Sequence, residues 1–414
     1  MMDQQDKVSR PSPPSGPDHP AILRELASTA ISRRTLLRLG AMGLGAASVH
    51  SRPHDANGAG PGAEPPDLEL IVRSRRPLNL ESSVAALDQR LTPNDGVFVR
   101  SHFGAPAVDL LPWEVEIVGL VSRPLRLTID ALGRLEQATK AAVLQCAGNG
   151  RALYRPRVPG TPWERGAVGQ AEWAGVRLAD LLERAGVQSG AAHLHFLGGD
   201  APPNPKIPAF VRSIPIDRAR DPETLLALRM NGEPLPTVHG GPARVVVPGW
   251  AGNNWTKWVR RIVVSSEEAP GFFMQTGYRM FRTPVPPGAS PGSIPADPVT
   301  WMNVKSLITS PGRGGVLPAG PVEVRGIAWT GQGHVTQVDV RIEDDRWMSA
   351  TLLGDPEPGA WRRWRLSWEP SRRGRHVVAA RATDSMGQVQ PESPPWNKSG
   401  YLWNGYDTVE FEVR

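Results

Sequence analysis

Hydrophobic and polar residues alternate over Trp113-Glu114-Val115-Glu116-Ile117-Val118, which predicts a strand with one buried face. Ala141 to Gln145 and Val245-Val246-Val247 are short apolar runs, the pattern of strands buried on both faces. Leu178 to Ala185 has helical spacing, and helix starts are signalled at Thr128-Ile129-Asp130 and Asp221-Pro222-Glu223 by a capping side chain or first-turn proline. Residues 68–287 therefore read as α+β. Between Thr283 and Pro298 six prolines and two glycines leave no room for a regular element, and a domain boundary is placed there. Residues 288–414 carry six strand candidates separated by Gly, Pro and Asp turns: Val322–Trp329, Val335–Ile342, Trp347–Leu352, Trp364–Trp368, His376–Thr383 and Thr408–Val413. This spacing predicts an immunoglobulin-like sandwich. Seven of the fourteen tryptophans fall between Trp329 and Trp403 and are expected to fill its core.

The pattern differs at the amino terminus. Ser32-Arg33-Arg34-Thr35-Leu36-Leu37, followed by the Gly/Ala/Leu run from Leu39 to Ala47, resembles a twin-arginine export signal. That run is shorter than the roughly 20 residues a membrane-spanning helix needs, and no later segment approaches that length. Residues 1–50 are expected to be a signal region, 51–67 a linker, and the protein periplasmic or otherwise exported. The twin-arginine route carries folded proteins, commonly with a cofactor already loaded.

Composition narrows the chemistry. The 414 residues hold 47 Lys plus Arg against 41 Asp plus Glu, a formal balance of +6. Only six of those cations are lysines, and the arginines are scattered without a dense run, which points away from nucleic acid. The single cysteine, Cys146, excludes an intrachain disulfide and the grouped thiolates of iron–sulfur clusters. No Cys-x-x-Cys-His is present for covalent haem in this chain. His193 and His195 share one strand face, a spacing that could hold zinc, but no third ligand is evident nearby.

Cys146 ends the run Val143-Leu144-Gln145 and enters Ala147-Gly148-Asn149-Gly150-Arg151. Glycines there permit positive φ and expose backbone N–H groups, while Arg151 places a fixed charge near the thiol. A thiolate so placed is a strong ligand for a soft metal, and the bland alternative is a small buried hydrophobe.

The segment Leu144 to Arg151 resembles the molybdenum-binding loop of the sulfite oxidase family. Further stretches agree in order: Phe98 to His102, Glu172 to Leu178, Met230 to Pro236, His239 to Gly249, and Trp255-Thr256-Lys257-Trp258. The resemblance spans roughly residues 80 to 414. It implies a mixed molybdopterin domain followed by a sandwich that pairs two copies into a homodimer. It also implies that Cys146 is the one protein ligand to a molybdenum held by molybdopterin. His102, Asp200, His239, Arg244 and Lys257 would then contact the pterin, its carbonyls or its phosphate. Arg100, Arg151 and Tyr278 would surround the reacting oxygen, with Trp163 as a wall. Gly150 stands where many relatives carry a second arginine.

The implied reaction is oxidation of sulfite to sulfate, with a cytochrome c or haem subunit as acceptor. A molybdopterin-dependent sulfoxide reductase and a secreted binding protein without enzymatic activity are the alternatives.

Overall fold

A computed structural model describes residues 69–108, 112–343 and 346–414. The expected signal and linker lie outside the described residues. No helix among the described residues is long and apolar enough to cross a membrane.

The alternating segment forms the strand Glu114–Gly119, whose Val115 and Ile117 are buried. It lies second in a five-stranded sheet, between Leu125–Thr128 and Val259–Ser265, and the sheet continues through His193–Gly198 to Val211–Pro215. The pairing of Glu114–Gly119 with Val259–Ser265 is parallel, and the others are antiparallel. A second sheet pairs Ala138–Gln145, Val168–Arg177 and Leu225–Met230 antiparallel, and Glu233–Pro234 and Arg244–Val246 both join the last of these. Side chains from both sheets, Ile117, Phe196, Trp173 and Val245 among them, share one core.

The helix Leu178–Ala185 spans the residues expected from its spacing. It buries Leu178, Leu181, Leu182 and Ala185 on one face and stops at Gly186, whose φ of 66° only glycine adopts readily. Thr128 caps a second short helix, Ile129–Gly133, by accepting from Ala131 N at 3.1 Å.

The start expected at Asp221 is a correction. Asp221 instead follows the helix Ile216–Arg220, and its carboxylate accepts from Glu223 N at 2.9 Å to make a turn into the strand Leu225–Met230. An aspartate that caps a turn carries the same local signal as one that caps a helix.

Residues beyond Val304 form two facing sheets. One contains Lys305–Ser310, Val322–Trp329, Arg362–Trp368 and Thr351–Leu353. The other contains Gly315–Leu317, Asp407–Val413, Gly374–Asp384, Val335–Ile342 and Met348–Ser349. Val324, Val338, Ile342, Trp364, Val378 and Phe411 fill the space between them. The single strand expected over Trp347–Leu352 is two pieces, Met348–Ser349 and Thr351–Leu353, one in each sheet. Alternation runs on through the crossing and so conceals it.

The tryptophans depart further from expectation. Trp364 and Trp368 pack into the sandwich, but Trp329 and Trp361 join Leu87, Val143, Ala147 and Tyr278 in a separate cluster where the sandwich meets the α+β region. Trp329 Nε1 donates to Gln145 Oε1 at 2.6 Å, directly before the cysteine. The sandwich is thus packed against the strand that carries Cys146.

Candidate active site

The strand Ala138–Gln145 delivers Cys146 to a loop closed by its own backbone. Cys146 N donates to Ala167 O, Asn149 N to Cys146 O and Arg151 N to Gly148 O, each at 2.9 Å. Gly150 has φ 87°, and a Cβ there would lie 2.8 Å from Trp403 Cβ. An arginine at this position would meet the sandwich, which accounts for the glycine.

Cys146 opens on a cavity. Arg100, His102, Asp200, His239, Arg244, Lys257 and Tyr278 line it too, so eight of the ten site residues expected from the sequence come together. Arg151 and Trp163 are not part of the lining and stand just behind it. Trp163 is fully buried and meets the lining residue Phe98 edge-on, with ring centres 6.2 Å apart. Arg151 donates through Nε to Ser399 O and through Nη1 to Thr161 O, both at 3.1 Å, which holds its guanidinium against Gly148 of the cysteine loop.

The cavity is rich in buried positive charge. Arg244, 3% exposed, donates to His239 O at 2.7 Å and Trp255 O at 3.2 Å, while its Nε has no partner among the described residues. Burial pushes its guanidinium down to about 9. Lys257 Nζ donates to Ser101 Oγ and Val238 O, both at 3.1 Å, and lies 4.0 Å from the centre of the Trp258 ring. Burial first, and then the Arg244 charge, hold its ammonium well below the usual range. Asp200 is the only carboxylate in the lining, and burial raises its carboxyl against the pull of Lys257. Neither Arg244 nor Lys257 forms a salt bridge among the described residues.

Two histidines are held neutral. His239 Nε2 lies 2.8 Å from Asn94 O, which orients the ring, and burial pushes it down to about 3. His102 Nε2 shares a 2.7 Å hydrogen bond with Tyr278 Oη. Burial first, then the Arg100 charge, keep His102 well below its ordinary value, and burial raises the Tyr278 phenol to about 12. Near neutral pH this is an uncharged pair.

Sequence reasoning missed Arg212, which is fully buried beneath the site. Its Nη2 donates to Asn254 Oδ1 at 2.8 Å, it lies 5.6 Å from the Tyr278 ring centre, and burial pushes it down to about 10. An arginine at an inward position of the strand Val211–Pro215 was the available signal. Phe210, which stacks on His102 at 4.4 Å, was missed as well.

These features test which cofactor fits. Buried cations without anionic partners cost several kcal/mol and are relieved by a bound anion such as a phosphate. One thiolate cannot hold a metal alone, and no group of three His, Cys, Asp or Glu among the described residues could hold one. His195 Nε2 is engaged by Glu267 O at 2.7 Å, which further weakens the zinc reading. A metal at Cys146 must therefore bring further ligands on an organic, anionic carrier, and molybdopterin meets that requirement.

A family profile described as oxidoreductase molybdopterin binding domain matches residues 102–273, and one described as Mo-co oxidoreductase dimerisation domain matches 296–414. The sulfite oxidase of Gallus gallus is 37% identical, over 84% of this chain and 79% of its own length. The chain belongs to the sulfite oxidase family. Sulfite oxidase of Arabidopsis thaliana is 34% identical, over 84% of this chain and 95% of its own. Among solved structures, the sulfane dehydrogenase SoxCD from Paracoccus pantotrophus superposes with a TM-score of 0.72 at 30% identity, over 86% of this chain and 92% of that one. Like its relatives, this family member is a molybdopterin-dependent oxidoreductase, and the sandwich is its dimerisation domain.

Proposed function

We propose that the protein oxidises sulfite, or a closely related small sulfur compound, and passes the electrons singly to an external cytochrome c or haem subunit. The observation that carries this reading is a lone thiol lining one cavity with two buried cations, Arg244 and Lys257, neither of which forms a salt bridge among the described residues. When bound, the molybdenum cofactor supplies the transferable oxygen and takes up the electron pair.

The chain's own residues bind and orient. Cys146 holds the metal, Arg244 offers a planar fork to phosphate, and Lys257 offers a point charge. Neutral His239 positions a pterin contact without adding charge, and Asp200 accepts from pterin N–H groups. At the reacting end Arg100 lowers the cost of desolvating a dianion, while Arg151 does so from beside the cysteine loop. With His102 as the Nε2–H tautomer donating to Tyr278 Oη, the phenol donates its own proton's hydrogen bond to a substrate oxygen and keeps that proton.

On this reading residues 68–287 bind the cofactor and 288–414 pair two copies, and the twin-arginine segment sends the folded protein to the periplasm. Similarity to a sulfane dehydrogenase supports testing sulfane sulfur beside sulfite. The deciding experiment is elemental analysis followed by assay. About one molybdenum per chain with sulfite-dependent cytochrome c reduction is expected. Reduction of methionine sulfoxide without sulfite oxidation would instead establish the reductase.

A further inference from the structure

Residues 397–403 leave the sandwich and lie on the cysteine loop. Leu402 N donates to Ala147 O at 2.8 Å, and Tyr154 Oη donates to Tyr401 O at 2.9 Å. Tyr401 stands where this segment meets two residues of the proposed reaction. Its ring stacks on Tyr278 with centres 5.4 Å apart and planes at 19°, and the Arg151 guanidinium carbon lies 5.5 Å from its centre. Its hydroxyl also accepts from Tyr278 N at 3.4 Å.

Both neighbours need holding. Tyr278 has φ 54°, a left-handed conformation that costs a non-glycine residue about 1 kcal/mol or more unless its surroundings enforce it. Arg151 fits only because glycines leave it room. A Cβ at Gly148 would stand 2.5 Å from Arg151 Nη2, and one at Gly400 would stand 2.8 Å from Arg151 Cγ. In this tight slot Arg151 is held edgewise by its hydrogen bonds to Ser399 O and Thr161 O, and the Tyr401 ring faces its guanidinium.

We propose that Tyr401, supplied by the second domain, is a positioning residue that fixes Arg151 and Tyr278 relative to each other at the cysteine loop. The proposal rests on the sulfite-oxidising reading and extends it, since substrate affinity then depends on a ring outside the molybdopterin domain. Any apolar residue could fill the space. Only a flat ring can stack on the phenol and face the guanidinium together.

The test uses full-length, molybdenum-loaded protein. Arg151→Met sets the scale and is expected to raise the KM for sulfite roughly tenfold or more. Tyr401→Leu should raise KM roughly tenfold with kcat within about threefold of the parent, and inhibition by sulfate should weaken in parallel. Tyr401→Phe keeps the ring and should stay within about twofold. Tyr401→Gln is prepared alongside, so that either folded chain carries the measurement. An unchanged KM in the Leu or Gln variant, with Arg151→Met impaired, overturns the proposal and leaves the reading intact. Loss of fold or molybdenum in both shows a merely structural tyrosine and also overturns it. A parent that does not oxidise sulfite overturns the reading itself before any variant is made.

Discussion

Arg165 and Arg244 are both buried guanidiniums, 6% and 3% exposed, in opposite surroundings. Arg165, where the α+β region meets the sandwich, forms a salt bridge with Asp407 and donates to Ile308 O at 2.7 Å. The same carboxylate accepts from Ile308 N at 2.7 Å, so the two opposite charges are paired within the protein, although Arg165 Nε, like Arg244 Nε, has no hydrogen-bond partner among the described residues. Arg244, in the cavity, has carbonyl partners and no carboxylate. Low dielectric makes an unpaired charge costly, so a cation kept without a counter-ion marks a place where a ligand supplies one. The junction holds the fold together, while the cavity stores an unmet demand.

If that contrast is right, the two regions fail differently. Cys146→Ser should remove the metal and slow oxidation by roughly 10³-fold or more. Circular dichroism should remain that of the parent, and elemental analysis reads the loss. Arg165→Met leaves the buried Asp407 carboxylate without its salt bridge, which should cost about 3–5 kcal/mol of stability in denaturant unfolding. Arg244→Met removes a cation that the folded chain does not pair. The protein should fold as before yet bind molybdopterin roughly tenfold to a hundredfold more weakly, as expected for a lost charge-assisted hydrogen bond. A strongly destabilised Arg244→Met chain would erase the distinction.

How much of this was legible in the sequence depends on whether the signal was local. The helix Leu178–Ala185 and the strands Val322–Trp329 and Val335–Ile342 were legible to the residue, because each repeats one period and ends at a turn former. Cys146 was legible in its own glycine-rich loop beside Arg151, whereas Arg244 and Lys257 were legible only through a family resemblance, since nothing in their local pattern separates them from surface charges. Arg151 and Trp163 could be placed near the site but not relative to its lining, because that depends on Ser399 and Phe98, far away in the chain. Arg212 was missed for the same reason, as its partner Asn254 stands 42 residues away. The helix expected at Asp221 failed because a turn and a cap use one chemistry.

Lys305 puts the contrast under the most strain, because it sits at the junction and is unpaired. It is 2% exposed, its Nζ has no partner among the described residues, and it lies 5.2 Å from the centre of the Trp403 ring. Burial pushes its ammonium down from 10.5 to about 8, against the attraction of Asp407. Below about pH 8 both folded and unfolded chains carry this proton, and the folded state bears the full penalty. Between pH 8 and 10.5 the unfolded chain binds more protons, so this group's contribution to stability rises with pH. Lys305→Met should therefore stabilise the protein by about 1–3 kcal/mol at pH 7, with the gain shrinking towards pH 10 as the parent recovers. Denaturant midpoints at the two pH values measure this. Molybdenum content should not change, since the Asp407 field, and no ligand, compensates this cation. Were the variant to lose molybdenum, the junction would also be serving a bound anion, and pairing alone would no longer tell the two regions apart.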